Sequence, residues 1–282
     1  MEHSFQTIGI VGMGLIGASF ARAIMENMDA TVFAHDLNEE VLQKAQADGV
    51  IAGHLNDHID ECDMILIALY PAAAIQWVQE NGARIAGNTI VIDCCGVKRA
   101  VAPDLKRLAE KFGFTYVGGH PMAGRELSGY DASQADLFFN ASMILTDLSQ
   151  ELEADLTNFF KTLGFARIQK STPEEHDHII AYTSQLAHVL SSAYVKAPTA
   201  LTHTGFSAGS FRDMTRVAYL NESMWTELFL DNAEYLADEV DGLCARLAQY
   251  SAAIRSKDRD TLFALLKEGR ERKELVEGLQ NK

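Results

Sequence analysis

The chain has few cysteines, and their spacing is not that of metal ligands or redox pairs. The four cysteines are Cys62, Cys94, Cys95 and Cys244, and they form no CxxC motif. Neither a disulfide-rich secreted scaffold nor a cysteine-based metal site is therefore expected, and reduced thiols in the cytoplasm are the prediction. No metal-binding residue is predicted.

Long apolar runs and an excess of basic residues are also missing. No apolar run reaches the roughly 20 residues of a membrane-spanning helix, and the polar start does not resemble a signal peptide. The chain has 24 Lys and Arg against 39 Asp and Glu, a formal net charge of -15. This argues against nucleic-acid and anionic-membrane partners. An anionic substrate must then be held by a local cluster of cations.

A strand, a glycine-rich turn and a helix are predicted near the start of the chain. Residues 7–11 are apolar and partly β-branched, which favours a buried strand, and residues 18–25 favour a helix. Between them, Gly12 would permit a tight turn, Gly14 the approach of a pyrophosphate, and Gly17 close packing of the helix on the strand. The helix N-terminus would add free N–H groups for the phosphates. The candidate dinucleotide-binding residues here are Gly12, Met13, Gly14, Leu15, Ile16 and Gly17.

Asp36 follows the second apolar run, residues 30–34, about twenty residues after the glycines. A carboxylate at this distance binds the adenosine ribose hydroxyls and repels a 2′-phosphate, so NAD is favoured over NADP. Two interpretations without cofactor binding stay open. The glycines could form a turn in another α/β fold, and Asp36 could cap the next helix.

Alternating strand and helix signals up to about residue 170 indicate βαβ units. Further strands are predicted at residues 64–69, 89–93, 114–119, 141–146 and 166–168. Parallel strands end at one sheet edge, where ligands bind. The loops expected to share that crevice contain Gly12, Asp36, Leu69 with Pro71, Gly96 and His120. Leu69, Pro71 and Gly96 complete the candidate cofactor site.

The pattern becomes helical after residue 171. Thr172 is a candidate N-cap, with Pro173 at the first helical position and Glu175 at the third. One long helix is predicted to carry an apolar stripe from Trp225 to Leu247. The predicted fold is therefore an α/β Rossmann-type dinucleotide-binding domain, residues 1–170, followed by an all-helical substrate and dimerisation domain, residues 171–282. So much apolar surface on a small helical domain favours a homodimer.

His120 is the candidate catalytic residue, because it lies where a strand should deliver a proton-transfer group to the cofactor edge. Ser184 and His188 are four residues apart, as are Arg212 and Arg216, so each pair shares a helix face. A His and an Arg could bind substrate carboxylates, and Arg does so through its planar fork. Alternatively, such an Arg is a surface ion-pair partner and such a His packs in the core.

Residues 118–129, GGHPMAGRELSG, resemble the signature of the prephenate/arogenate dehydrogenase family of tyrosine biosynthesis. The resemblance continues in Asp93-x-x-x-Val97-Lys98, in Ser184-x-x-x-His188, and in FRDMTR at 211–216 followed by Met224-Trp225. It implies an NAD-dependent oxidative decarboxylation in which His120 removes the ring hydroxyl proton. It also implies that Arg216 binds a substrate carboxylate and that His188 and Ser184 hold the substrate. Glu126 would orient His120 or the helical domain, or else cap or pair locally.

Two positions depart from the family pattern. Gly96 stands where many members have Ser, so a hydrogen bond near the ring hydroxyl is missing or is made by water or Cys95. Arg125 stands where a small hydroxyl residue is common, and its charge would favour the keto acid prephenate over the ammonium of arogenate. Arogenate or dual cyclohexadienyl specificity stays the alternative. Tyrosine inhibition and a partner subunit's share in the site are left open.

Two alternative functions lie outside this family. A β-hydroxyacid dehydrogenase would need a catalytic lysine on a helix of the second domain. Lys196 is the only candidate in the relevant stretch, and Pro198 close by makes it a poor one. A non-catalytic NAD-sensing protein would not need His120, His188 and Arg216 together.

Overall fold

One mixed β-sheet organises the first part of the chain. The structure is a computed structural model that describes residues 5–125 and 127–280. The sheet order is β3-β2-β1-β4-β5-β6-β7-β8. The strands are β1 (Thr7–Val11), β2 (Thr31–His35), β3 (Gly53–His54), β4 (Met64–Ile67), β5 (Ile90–Asp93), β6 (Thr115–Pro121), β7 (Ser142–Thr146) and β8 (Arg167–Ser171). The predicted strands are confirmed to within a few residues. The two-residue β3 is too short to give a sequence signal.

Strand direction changes once across the sheet. The strands from β1 to β6 pair in parallel, whereas β7 runs antiparallel to β6 and β8 parallel to β7. The carboxyl ends of β1, β2, β4, β5 and β6 therefore meet at one edge.

Both faces of the sheet are buried. On β4, Met64 and Leu66 pack into one apolar cluster, while Ile65 and Ile67 pack into a second on the opposite face. Side chains alternate across a strand, so a strand covered on both faces must be apolar throughout. This explains the unbroken apolar runs in the sequence.

The helices cover the sheet and then make up the rest of the chain, and no strand follows β8 within the described residues. They are α1 (Leu15–Asn27), α2 (Glu39–Ala47), α3 (Pro71–Asn81), α4 (Ala102–Phe112), α5 (Glu153–Thr162), α6 (Pro173–Ile180), α7 (Leu186–Val195), α8 (Gly209–Thr215), α9 (Glu222–Asp231), α10 (Ala233–Ser256) and α11 (Arg259–Gln280). A π-helical segment, Ala181–Gln185, joins α6 to α7. The predicted N-cap of α6 is present, since Thr172 Oγ1 accepts the Glu175 N–H at 3.2 Å. None of the described helices is both long and apolar enough to cross a membrane.

The predicted long helix from Trp225 to Leu247 is wrong in one respect, because it is interrupted at Asn232. Asn232 has φ -121° and ψ 28°, so α9 ends there and α10 begins at the next residue. Its buried side chain donates to the Asp177 carbonyl and to Gln185 Oε1, both at 2.8 Å. These tertiary hydrogen bonds hold Asn232 out of helical geometry, and the apolar periodicity does not reveal them.

The described residues up to Asn232 form one compact unit and those from Ala233 a second. The second unit consists of α10 and α11, where the Tyr250 hydroxyl donates to the Leu265 carbonyl at 3.2 Å. The domain boundary near residue 170 stays a prediction.

Candidate active site

The glycine-rich turn between β1 and α1 has the shape that a pyrophosphate requires. Gly12 has φ +91°, and a Cβ there would lie 2.6 Å from the Ala68 carbonyl oxygen. A Cβ on Gly17 would collide with the Gly12 carbonyl oxygen, whereas a Cβ on Gly14 would meet no described atom within 4 Å. Gly12 and Gly17 thus serve the turn and its packing, and Gly14 leaves an open approach to the backbone. Leu15 and Ile16 begin α1, whose first turn carries no acidic residue. These features fit a dinucleotide phosphate.

Asp36 connects the end of β2 to this turn. Its Oδ2 accepts the Met13 N–H at 2.7 Å, and its Oδ1 accepts the Asn38 N–H at 2.8 Å. Asn38, not Asp36, caps α2 by accepting the Glu40 N–H at 3.0 Å. The capping alternative for Asp36 is therefore wrong. Met13 is buried and its amide is already bonded, which leaves phosphate contacts to the residues after it.

Alanine substitutions at two of the glycines should distinguish an effect on protein stability from an effect on NAD binding. We expect Gly14→Ala to weaken NAD binding with little change in thermal stability, because its methyl group enters the open approach. We expect Gly17→Ala to lower the melting temperature first, because its methyl group collides with backbone. NAD titration and thermal melts of both variants would check this. An unchanged NAD affinity for Gly14→Ala would contradict the predicted approach.

The remaining predicted cofactor residues lie at the same sheet edge. Leu69 follows β4, and its Cδ2 would be 2.8 Å from a Cβ on Gly12. Pro71 is buried at the first turn of α3. A Cβ on Gly96 would lie 3.8 Å from His120 Nε2. The edge therefore brings together the predicted crevice residues, although their roles stay predictions. The Cys95 thiol donates to the Leu69 carbonyl at 3.4 Å.

His120 lies within β6, one residue before its end, rather than at the start of a loop. Its Nδ1 is 2.8 Å from His176 Nε2, and His176 Nδ1 is 2.7 Å from Asp177 Oδ1. His176 and Asp177 are both buried in the first turns of α6. Sequence reasoning missed them. The available signal was a His-Asp pair just after a capped helix start.

Asp177 is held by the backbone after β5. Its Oδ1 accepts the Lys98 N–H at 2.7 Å and its Oδ2 the Arg99 N–H at 2.8 Å. The Lys98 side chain is buried and pairs with Asp93 and with the Gly119 carbonyl. Asp93 also accepts the Tyr116 hydroxyl at 2.8 Å. A continuous polar network thus connects β5, β6 and α6 beneath His120.

Burial keeps the two histidines neutral. It lowers the pKa of His120 well below its usual value, with further contributions from His176 and the Lys98 ammonium. Burial also lowers the pKa of His176, although the neighbouring Asp177 opposes this shift. At neutral pH His120 is therefore an uncharged base, as proton abstraction requires.

Two of the predicted substrate residues, Ser184 and His188, lie in the π-helical segment and in α7, and His188 contacts α9. His188 stacks on Trp225 with ring centroids 4.0 Å apart, and its Nδ1 lies 2.8 Å from the Ser184 carbonyl oxygen. One turn further along α9, Leu228 Cδ2 would be 3.8 Å from a Cβ on Gly96. Helix α9 therefore contacts both the sheet edge next to His120 and the helix that carries His188.

The other predicted substrate residues are more exposed. Arg216 begins a short 3-10 turn, Arg216–Ala218, which packs on α7. Arg216 is exposed, as is Arg125 in the segment after β6. Glu126 lies outside the described residues.

Comparisons with known proteins point to one family. Residues 20–169 match the family model for the nucleotide-binding domain of prephenate dehydrogenase, and residues 172–268 match that for its dimerization domain. The chain is 33% identical over 281 residues to a cyclohexadienyl dehydrogenase of Zymomonas mobilis, covering 94% of each.

Two solved structures are also similar. One is a prephenate dehydrogenase from A. aeolicus in complex with hydroxyphenyl propionate and NAD+, with a TM-score of 0.84 and 25% identity, covering 98% of this chain and 100% of that chain. The other is an arogenate dehydrogenase from Synechocystis, with a TM-score of 0.80 and 25% identity, covering 96% and 100%. The chain belongs to the prephenate dehydrogenase family of NAD-dependent oxidoreductases.

Proposed function

We propose that this protein converts prephenate to 4-hydroxyphenylpyruvate and CO2, with NAD as oxidant, in tyrosine biosynthesis in the cytoplasm. The observation that carries the proposal is His120, which is half-buried, hydrogen-bonded to His176, and held in β6 at the sheet edge that also carries the glycine-rich turn. Membership of the family supports the same reaction.

NAD, when bound, accepts the hydride from the carbinol carbon of the ring. His120 Nε2 accepts the proton of the hydroxyl on that carbon as the hydride leaves. The bond between the ring and its carboxylate then breaks, CO2 departs, and the electron pair completes the aromatic ring. The former carbinol oxygen is a phenol in the product, so the proton that His120 removed returns to it. His120 therefore acts first as general base and then as general acid.

The substrate is a dianion, whereas the protein carries a net charge of -15, so its carboxylates need local partners. Arg216 is the proposed carboxylate ligand, and His188 and Ser184 are proposed to position the ring. Arg125 is proposed to lie near the keto-acid side chain, and Glu126 to orient His120 or the helical segment.

The reaction is tested by following NADH formation with prephenate and, separately, with arogenate. We expect turnover with prephenate at the higher kcat/KM. Turnover with arogenate alone would support an arogenate dehydrogenase, and comparable turnover of both substrates would support a cyclohexadienyl dehydrogenase. One similar protein bears each of these names. Bound NAD without turnover of either substrate would support a sensor.

Arg125→Thr should reduce the preference for prephenate over arogenate. Removing the positive charge removes its attraction for the keto-acid side chain and its repulsion of an ammonium, and we expect a change of about tenfold in the ratio of the two kcat/KM values. The matched control is Arg107→Thr, which removes an exposed arginine from α4. An unchanged ratio would show that Arg125 does not face the substrate.

The acid limb of the kcat/KM profile should lie below the ordinary histidine pKa of about 6.5. The pKa of His120 is lowered by burial, so the neutral base persists as the pH falls through that value. The measurement is the pH dependence of kcat/KM with prephenate. An acid limb centred at or above the ordinary value would contradict a His120 whose pKa is lowered by desolvation.

We expect a homodimer formed through the helical segment. Apolar side chains on α10 and α11 are exposed in the single chain, including Leu247, Ile254, Phe263 and Leu266. Such a surface is usual where two copies associate. Sedimentation of the full chain tests this expectation.

A further inference from the structure

We propose that His176 and Asp177 form a proton relay behind His120, which holds His120 in its Nδ1–H tautomer and stabilises its protonated form. The relay deepens the proposed function, because it rests on His120 as the base. It assigns His176 as a positioning residue, since it acts on the substrate only through His120.

The direction of each hydrogen bond follows from Asp177. Its two oxygens accept backbone N–H groups, from Lys98 at 2.7 Å and Arg99 at 2.8 Å, and a carboxylate has no hydrogen to donate. His176 Nδ1, 2.7 Å away, must therefore donate. A neutral imidazole has one N–H, so His176 Nε2 is an acceptor.

The same reasoning then sets the tautomer of His120. Its Nδ1 lies 2.8 Å from the accepting His176 Nε2, so Nδ1 carries the hydrogen and Nε2 carries a lone pair. Nε2 faces Gly96, where even a Cβ would be 3.8 Å away, so no side chain at this position covers it. The nitrogen left unprotonated is the one available to take a substrate proton.

The relay also stabilises the positive charge that His120 acquires when it takes up the substrate proton. When Nε2 is protonated, the bond from Nδ1 to His176 becomes charge-assisted and stronger. A shift of the Nδ1 proton would place the charge on His176, next to the Asp177 carboxylate. The buried Lys98 ammonium opposes this charge, while its partner Asp93 offsets part of that repulsion. The relay thus stabilises a cation that burial alone would disfavour.

A structural role for His176 would not depend on a hydrogen-bond acceptor, which allows a direct test. His176→Gln keeps an amide oxygen that can accept from His120 Nδ1, whereas His176→Phe fills the space without an acceptor. We expect kcat to fall about 10²-fold or more in His176→Phe and about tenfold in His176→Gln, with KM and NAD affinity little changed in both. His178→Gln, on the exposed side of the same helix, is the matched control.

The tautomer itself can be measured without turnover. In the full-length protein with 15N-labelled histidine, the His120 resonances, assigned by their loss in His120→Asn, should show Nδ1 as the protonated nitrogen and Nε2 as the bare one. The opposite tautomer, or equal losses of kcat in His176→Gln and His176→Phe, would overturn the relay. Failure to turn over prephenate despite the expected tautomer would instead reject the proposed function.

Discussion

Replacing His120 with asparagine is expected to lower kcat by about 10²- to 10⁴-fold, the usual contribution of a general base. Asparagine has a similar size and can donate to His176 Nε2, so the surrounding network should persist. It cannot accept the hydroxyl proton at neutral pH. NAD affinity should stay unchanged, because the glycine-rich turn is not altered. Steady-state kinetics with prephenate and an NAD titration check both parts.

Two comparisons make this result specific. His178→Asn, an exposed histidine on α6, should keep full turnover. Arg216→Ala should mainly raise KM, because it removes a proposed carboxylate partner and not a proton acceptor. If His120→Asn retained turnover, His120 would have no part in the chemistry.

Lys98→Met should be the most destabilising of these substitutions, at about 3–5 kcal/mol. The side chains of Lys98 and Asp93 are both fully buried, and the ammonium pairs with that carboxylate. Methionine fills similar space but leaves Asp93 as an uncompensated buried charge, and it leaves the Gly119 carbonyl without this donor. Denaturant unfolding of the wild-type and variant proteins measures the difference.

The double variant Lys98→Met/Asp93→Asn tests the cause of the loss. Removing both charges should recover part of the stability. Recovery should be incomplete, because Asp93 also accepts the Tyr116 hydroxyl and the Cys95 N–H. The exposed pair Arg107 and Asp104 is the control, and its disruption should cost at most about 1 kcal/mol. If Lys98→Met lowered the free energy of unfolding by a comparably small amount, the buried Asp93 carboxylate would have to be stabilised by groups other than Lys98.

Local features of this protein were predictable from its sequence. The turn at Gly12, the apolar runs of β1 and β4 and the Thr172 cap each depend on residues within a few positions of one another. Backbone sterics, strand periodicity and capping act over that range, so the pattern carries the information. That parallel strands end at one sheet edge also follows from βαβ connections, and it predicted that His120 lies near the loop of Gly12.

The surroundings of His120 were decided by tertiary structure. Its partner His176 is 56 residues away, and Asp177 accepts backbone groups 78 and 79 residues away. The antiparallel β7 and the interruption at Asn232 likewise depend on contacts between distant segments. No periodicity encodes such contacts, since they exist only after the sheet and helices pack. The sequence by itself therefore determined that a histidine stands at the carboxyl edge of the parallel strands. The hydrogen bonds of α6 to His120 in β6 and to the segment after β5 decided which nitrogen of His120 is bare, because only they supply the acceptor for the other.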